Sequence, residues 1–342
     1  MSKRLNVSGG RVEMAHGGGG RAMSQLIEEL FQAALSNPWL AEGNDAAALE
    51  IPGGRLAMAT DSHVVSPLFF PGGDIGSLAV HGTVNDVAMG GAEPLYLAAG
   101  FILEEGFPLA DLKRIVESMA AAAEEAGVSV VTGDTKVVEQ GKGDGVYINT
   151  TGIGRRLEGI EVGPDRCRPG DVLVVNGPVG DHGVAILSER EDIGFGTELR
   201  SDTASLNGLV AAMAEAAPGL RCLRDLTRGG LAAALNELAQ QSGVAMRLRE
   251  ADLPVREAVH AACEFLGLDP LYSACEGRLV AVCPPEEAEA LVAAMRAHPL
   301  GVEAAVVGDV AASDRPWVEM TTTFGGTRLV DWIHGEQLPR IC

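Results

Sequence analysis

Residues 108–136, PLADLKRIVESMAAAAEEAGVSVVTGDTK, set the fold class of the chain. Pro108 fits the first position of a helix, where its missing N–H would find no partner in any case. Leu109, Leu112, Ile115, Val116 and Met119 recur on one helical face, and Gly127 suits the left-handed residue that ends a helix. Val128 to Val131 then reads as a strand running into Thr132-Gly133-Asp134-Thr135-Lys136. A one-faced helix feeding directly into a strand is the repeating unit of α/β folds.

Upstream, the same alternation continues. Leu95 to Leu103 reads as a strand. Residues 75–90 read as a helix carrying Ile75, Leu78, Ala79, Val84, Val87 and Ala88, with Asp74 as its N-cap after the turn Pro71-Gly72-Gly73. Asn85 and Asp86 lie in its second half, a polar doublet in a small apolar helix. Arg55 to Thr60 reads as a strand that ends at Asp61. Met23, Leu26, Ile27, Leu30, Phe31 and Ala34 mark a helix that Asn37-Pro38 stops. His16-Gly17-Gly18-Gly19-Gly20-Arg21 precedes it, behind a polar leader.

Downstream, Tyr147 to Ile153 is β-rich, and Pro169-Gly170 marks a connector. A second series follows: strands at 172–175, 244–248, 278–283, 302–310 and 317–320, with helices at 181–188, 202–216, 229–241, 256–266 and 284–298. The expected organisation is a leader with glycine run and helix over 1–43, an α/β domain over 44–160, a second over 166–320, and a tail over 321–342. The tail ends Pro339-Arg340-Ile341-Cys342.

Hydrophobic residues make up 46% and aromatic residues 4% of the 342, so the core must be aliphatic. A net charge of −21 argues against a nucleic-acid or anionic-membrane surface, and a phosphate ligand would need cations as a bridge. No apolar run is long enough to span a bilayer, and no secretory leader is visible, so a cytoplasmic location is expected. Cys167, Cys222, Cys263, Cys275 and Cys283 show no zinc spacing and read as reduced, buried thiols. Cys342, on a polar tail closed by Pro339, is the thiol free to move.

Several residues carry candidate chemistry. Gly17 to Gly20 before a helix present backbone N–H groups suited to phosphate, although no Walker lysine follows. Asp45, Asp61, Asp86, Asp134 and Asp225 each sit beside a small-residue turn or at an element end, a hard-oxygen set that suits magnesium. Lys136 follows Asp134 closely. Glu276, between Cys275 and Gly277 at a strand entrance, reads either as a base near a ligand or as a turn residue.

Taken together, Ala15 to Gly20, Thr60 to Gly73, Gly82 to Ala88, Gly133 to Val138, Arg224 to Gly230 and the terminal Pro-Arg-Ile-Cys resemble the HypE family of hydrogenase maturation factors. That family is part of the superfamily of aminoimidazole ribonucleotide synthetase, selenophosphate synthetase and thiamine-monophosphate kinase. The resemblance implies an α/β (α+β) fold of two domains, the first lending strands to a β-barrel that spans a homodimer. It implies ATP contacts at Gly17, Gly18, Gly19, Gly20, Asn85, Thr135 and Thr227, with Mg2+ on some of the five aspartates. Asn44-Asp45 departs from the usual acidic doublet. Arg228 stands where the kinase branch carries an acid, and no cysteine precedes Cys167, unlike the selenophosphate branch. The implied activity is ATP-dependent dehydration of a carbamoyl group on Cys342 to thiocyanate, with Glu276 or Lys136 as base. The implied partners are the carbamoyltransferase HypF, which loads the cysteine, and the HypC–HypD complex, which receives cyanide for the iron of [NiFe]-hydrogenase. The alternatives are a synthetase or kinase acting on a free small molecule, and a non-catalytic carrier.

Overall fold

The computed structural model describes residues 4–18, 21–42, 47, 49, 53–191, 199–332 and 340–342. Gly19, Gly20 and Asp45 therefore lie outside the described residues. In the N-terminal half, strands β1 (Leu56–His63), β2 (Ala92–Glu104), β3 (Ser129–Val138) and β4 (Val146–Arg156) form a sheet of order β1-β4-β2-β3. The β2–β3 pair is parallel and the others antiparallel. Helices α1 (Ile75–Met89) and α2 (Leu109–Ala126) pack on one face of this sheet.

The helical punctuation behaves as its chemistry demands. Asp74 caps α1 by accepting from the N–H groups of Gly76 and Ser77. Gly127 ends α2 at φ 70°, a left-handed value that costs a residue without Cβ little. Pro108 is the N-cap of α2, one place earlier than expected.

Two expectations about strand ends fail, and both matter for the site. β1 runs on to His63, so Asp61 is inside a strand and its side-chain direction follows the two-residue alternation. β3 runs to Val138, so Gly133-Asp134-Thr135-Lys136 is strand and not loop. Its neighbouring residues therefore point to opposite faces.

The second half holds a seven-stranded mixed sheet. Its members are β5 (Val172–Val175), β6 (Cys222–Asp225), β7 (Ala245–Arg249), β8 (Leu279–Cys283), β9 (Ala305–Ala311), β10 (Trp317–Thr321) and β11 (Thr327–Leu329), in the order β11-β10-β7-β9-β5-β8-β6. The helices are Asp181–Arg190, Asn207–Ala216, Gly230–Ser242, Glu257–Leu266 and Ala288–Ala297. β11 pairs with β10 and Val330 is buried, so the sheet continues past residue 321, where the tail was expected to begin. Residues 202–206 are not helical either, and the helix expected there begins at Asn207.

The two halves share a packed boundary. Ala88 and Met89 of α1 lie in one cluster with Leu206, Leu209, Met213 and Leu223. The five internal cysteines are buried and reduced. No helix among the described residues is long and apolar enough to cross a membrane.

Candidate active site

The inter-domain seam brings together acids from four elements. Asp61 comes from β1, Asp86 from α1, Asp225 from the end of β6, and Glu276 from the turn before β8. Asp86 and Asp225 each feel the charge of Asp61, and Glu276 feels all three. Burial, then the neighbouring Asp225 and Asp61, pushes the Asp86 carboxyl up to about 7. Burial also raises Asp225, which accepts a hydrogen bond from the Asp86 carboxyl. Glu276 is 3% exposed, and burial first, then Asp225, holds it well above the usual carboxylate range. Its Oε1 is buried without a partner.

The Glu276 turn is fixed by backbone contacts. Its N–H donates to Asp202 Oδ1 at 3.0 Å, and Asp202 faces Arg278 at 3.5 Å. Gly277 is required there because a Cβ would stand 2.0 Å from the Asp202 carbonyl oxygen. Asn85 ties the two domains at this point. Its Nδ2 donates to the carbonyls of Ala204 (3.0 Å) and Glu276 (3.2 Å), and its Oδ1 accepts from Leu206 N–H at 2.7 Å. Three of the amide's hydrogen-bonding positions are thus taken up by backbone groups, so Asn85 braces the site.

Beside the acids lies a cleft of about 720 Å³, lined among others by Asp86, Asp225, Thr227 and three arginines, Arg156, Arg224 and Arg228. Basic side chains are scarce in the whole chain, yet three of them gather in this cleft. Arg224 is also paired with Glu237. The run Arg224-Asp225-Leu226-Thr227-Arg228 carried this signal in the sequence, where Asp225 and Thr227 were singled out but its two arginines were given no role toward phosphate.

The tail enters the same place. Cys342 Sγ lies within the electrostatic reach of Glu276, Arg228, Asp61 and Asp225; burial first, then Glu276, pushes its thiol up to about 12. The last three residues are held mainly through their backbone. Val64 N–H donates to Cys342 O at 2.9 Å, and Ser66 N–H to Arg340 O at 3.2 Å. Arg190 Nη2 also donates to Arg340 O, at 2.9 Å. Arg340 itself pairs with Asp144 and donates to Val64 O at 3.1 Å, so its charge serves docking and does not sit on the thiol.

The remaining sequence candidates fall elsewhere. Through the register, Asp61 aligns with Thr150, Ala99 and Gly133, whereas Asp134 aligns with Gly100, Asn149 and Ser62. Asp61 therefore faces the helices and Asp134 the opposite side of the sheet, three strands away, or about 14 Å. Within one chain Asp134 is not part of the acid cluster. Lys136 shares its face and pairs with it at 2.6 Å, both about 63% exposed. Lys136 borders an outer cleft with Ser62, His63, Val64 and Asn149, and Val64 is the residue that binds Cys342. Thr135 is buried on the helix side. Gly17 packs against Val137, where an added Cβ would come within 2.8 Å of the backbone nitrogen. Gly18 follows in an exposed turn. Among the described residues no three His, Cys, Asp or Glu side chains are arranged to enclose a metal ion by themselves.

Residues outside the sequence-based set also line the seam. His63 is 1% exposed with neither ring nitrogen partnered, 3.7 Å from Asp61 Oδ2, and burial lowers its pKa. Asp202 was expected in a helix; its Oδ2 is likewise unpartnered by hydrogen bonds.

Comparison with known proteins agrees with this architecture. The N-terminal domain of the AIR synthase related proteins matches residues 43–156 and their C-terminal domain residues 168–320. The carbamoyl dehydratase HypE of Azotobacter vinelandii is 67% identical over 339 residues, covering 99% of both chains. A crystal structure of the hydrogenase maturation protein HypE in complex with ATP superposes with a TM-score of 0.94 at 51% identity, over 96% of this chain and 99% of that one. A HypE–HypF complex structure matches with a TM-score of 0.80 at 48% identity, over 90% and 99%. With that identity along the full length, and with both domains matched, the chain belongs to the AIR synthase-related family and, within it, to the HypE carbamoyl dehydratases of hydrogenase maturation.

Proposed function

We propose that this chain is an ATP-dependent carbamoyl dehydratase whose substrate is its own Cys342. The observation that carries the reading is the docked tail: the Cys342 thiol lies within electrostatic reach of Glu276 and of Arg228, and Arg228 lines the arginine-rich cleft. A docked thiol pushed to about 12 is protonated and a poor nucleophile at neutral pH. The docked position therefore suits a cysteine already carrying its group. Loading belongs to the undocked tail, with HypF, named in the complex of a related protein, as the donor.

In R–S–C(=O)–NH2 the amide oxygen attacks the γ-phosphorus of ATP, and the bond to ADP breaks. The C–O bond then breaks as phosphate leaves, while both N–H protons are removed and C≡N forms. The products are R–S–C≡N, ADP and phosphate, with the amide oxygen now in the phosphate. Phosphoryl transfer asks mainly for positioning and charge neutralisation, which Arg156, Arg224 and Arg228 are placed to supply. Glu276, held with a high proton affinity and a free Oε1, is suited to take a nitrogen proton. Lys136 is the alternative base, reached from the outer cleft.

The mutual repulsion of Asp61, Asp86 and Asp225 fits Mg2+, which uses one or two carboxylates together with phosphate oxygens and water; it would neutralise the phosphates. That sparse ligation agrees with the lack of an all-protein cage. A homodimer whose outer β-sheets form a shared barrel would cover the face that carries Asp134, Lys136, Met58 and Ile102. Met58 and Ile102 are exposed there at 72% and 46%. Delivery of cyanide to a HypC–HypD iron complex in the cytoplasm would follow from the same tail leaving its dock.

An intact-mass measurement tests the reading. Carbamoylated protein given Mg-ATP loses the mass of one water, and Cys342→Ala never gains the adduct. Retention of the full carbamoyl mass, or ATP turnover on a free acceptor by Cys342→Ala, would favour the carrier or the synthetase instead.

A further inference from the structure

The wholly buried His182, in the helix Asp181–Arg190, touches the tail directly. Its Nε2 lies 2.7 Å from the carbonyl oxygen of Ile341. A carbonyl only accepts, so Nε2 carries the proton and donates. On the other side of the ring, Nδ1 lies 2.7 Å from Ser201 Oγ. Ser201 Oγ already accepts from Thr203 N–H at 3.1 Å, which leaves its own proton for Nδ1. The chain of donors thus runs Thr203 to Ser201 to His182 to Ile341 and fixes one neutral tautomer. Burial, which lowers the affinity of this imidazole for a second proton, keeps it so. Phe70 meets the ring edge-on at 5.6 Å and holds its plane.

The anchored residue is the one immediately before the reacting cysteine. Ile341 is 4% exposed and packs in the same core cluster as Phe70 and Ile186. Arg340 takes φ 54°, a left-handed conformation rare for a residue with a Cβ, and this turns the chain into the site. Such a conformation persists only where the surroundings hold it. His182 is the side chain that donates to the carbonyl between that bend and Cys342.

We propose that His182 is the positioning residue of the substrate arm: by gripping the Ile341 carbonyl it sets the placement of the Cys342 side chain against Glu276. The proposal rests on the reading of Cys342 as substrate for its effect on rate, but its effect on docking stands apart from that reading. His182 acts on the arm and not on the nucleotide, so its loss lowers the dehydration rate at saturating ATP and leaves ATP affinity unchanged. Because it reads a backbone carbonyl, the grip serves the arm whether or not Cys342 carries a group.

Two measurements on the full-length protein test this. The first is the rate of Cys342 alkylation by iodoacetamide without nucleotide, followed by intact mass. His182→Leu removes one hydrogen bond to a buried carbonyl, and alkylation should rise about fivefold as the arm undocks more often. His182→Gln, which keeps an N–H donor near the Nε2 position, should stay within about twofold of wild type. An unchanged alkylation rate in His182→Leu overturns the proposal. If that variant does not fold, Ser201→Ala, which frees Nδ1, should raise alkylation about twofold, and no rise overturns it.

The second measurement is single-turnover conversion of the carbamoyl adduct at saturating Mg-ATP, which should slow about 10-fold or more in His182→Leu and recover in His182→Gln. Weakened ATP affinity with an unchanged single-turnover rate overturns the proposal. If wild-type protein makes no thiocyanate at all, the functional reading fails, while the alkylation series still decides the anchoring role.

Discussion

Asp86→Asn should stabilise the nucleotide-free protein while abolishing turnover. Asp86 is raised from 3.8 to about 7 by burial and by Asp225 and Asp61. A carboxyl raised on folding opposes folding wherever the unfolded chain has already released the proton. Below pH 3.8 both states hold it and nothing is lost. Between 3.8 and about 7 the unfolded chain holds fewer protons, so stability falls as pH rises; above about 7 the penalty is complete. A shift of that size corresponds to about 4 kcal/mol at pH 8 and about 1.7 kcal/mol at pH 5. Asparagine removes the charge and its amide still donates to Asp225, so the variant should gain about 2–4 kcal/mol at pH 8. The gain should be less than half as large at pH 5. The assay is urea unfolding of both proteins in EDTA at the two pH values. Mg-ATP should then raise the wild-type midpoint more than that of the variant. Equal stability at pH 8, or a gain that does not shrink at pH 5, would refute the view that the seam stores repulsion for a cation to relieve.

Asn85→Ala strands the Leu206 N–H and the carbonyls of Ala204 and Glu276, and should cost about 2–4 kcal/mol; an unchanged urea midpoint would show that water replaces the amide. Glu276→Gln should slow thiocyanate formation by about 10²-fold or more with ATP affinity within a few-fold of wild type, and a normal single-turnover rate would move the base to Lys136. Asp61→Asn should weaken Mg-ATP binding in calorimetry far more than Asp134→Asn does, since the two face opposite sides of the sheet; equal losses would mean that a second subunit completes the site through Asp134.

A feature is legible in the sequence to the extent that it is local. The helix Leu109–Ala126 is legible because its apolar face and Gly127 act over a few residues, and the cap at Asp74 for the same reason. β6 is not, since Cys222-Leu223-Arg224-Asp225 is too short to show alternation, yet it delivers Asp225 and Arg224 to the cleft. Asp134 entered the acid set because composition reports residue type and not direction. Only the register of β3 shows that a strand's two-residue period turns it away from Asp61. The arm shows the same limit from the other side. A polar ending with Pro339 and Cys342 reads as mobile, but the groups that seat residues 340–342 are largely main-chain N–H and C=O, which every residue has. A lone His182 near the start of a helix gives no hint that its partner is a carbonyl at residue 341. Catalysis here therefore depends on two kinds of information. Residue chemistry, which the proposed function assigns to Glu276 and Cys342, can be read along the chain. Placement is created only when α1, β6, the turn before β8 and the final three residues meet, and the cost of that meeting is recorded in the raised proton affinities of Asp86, Asp225 and Glu276.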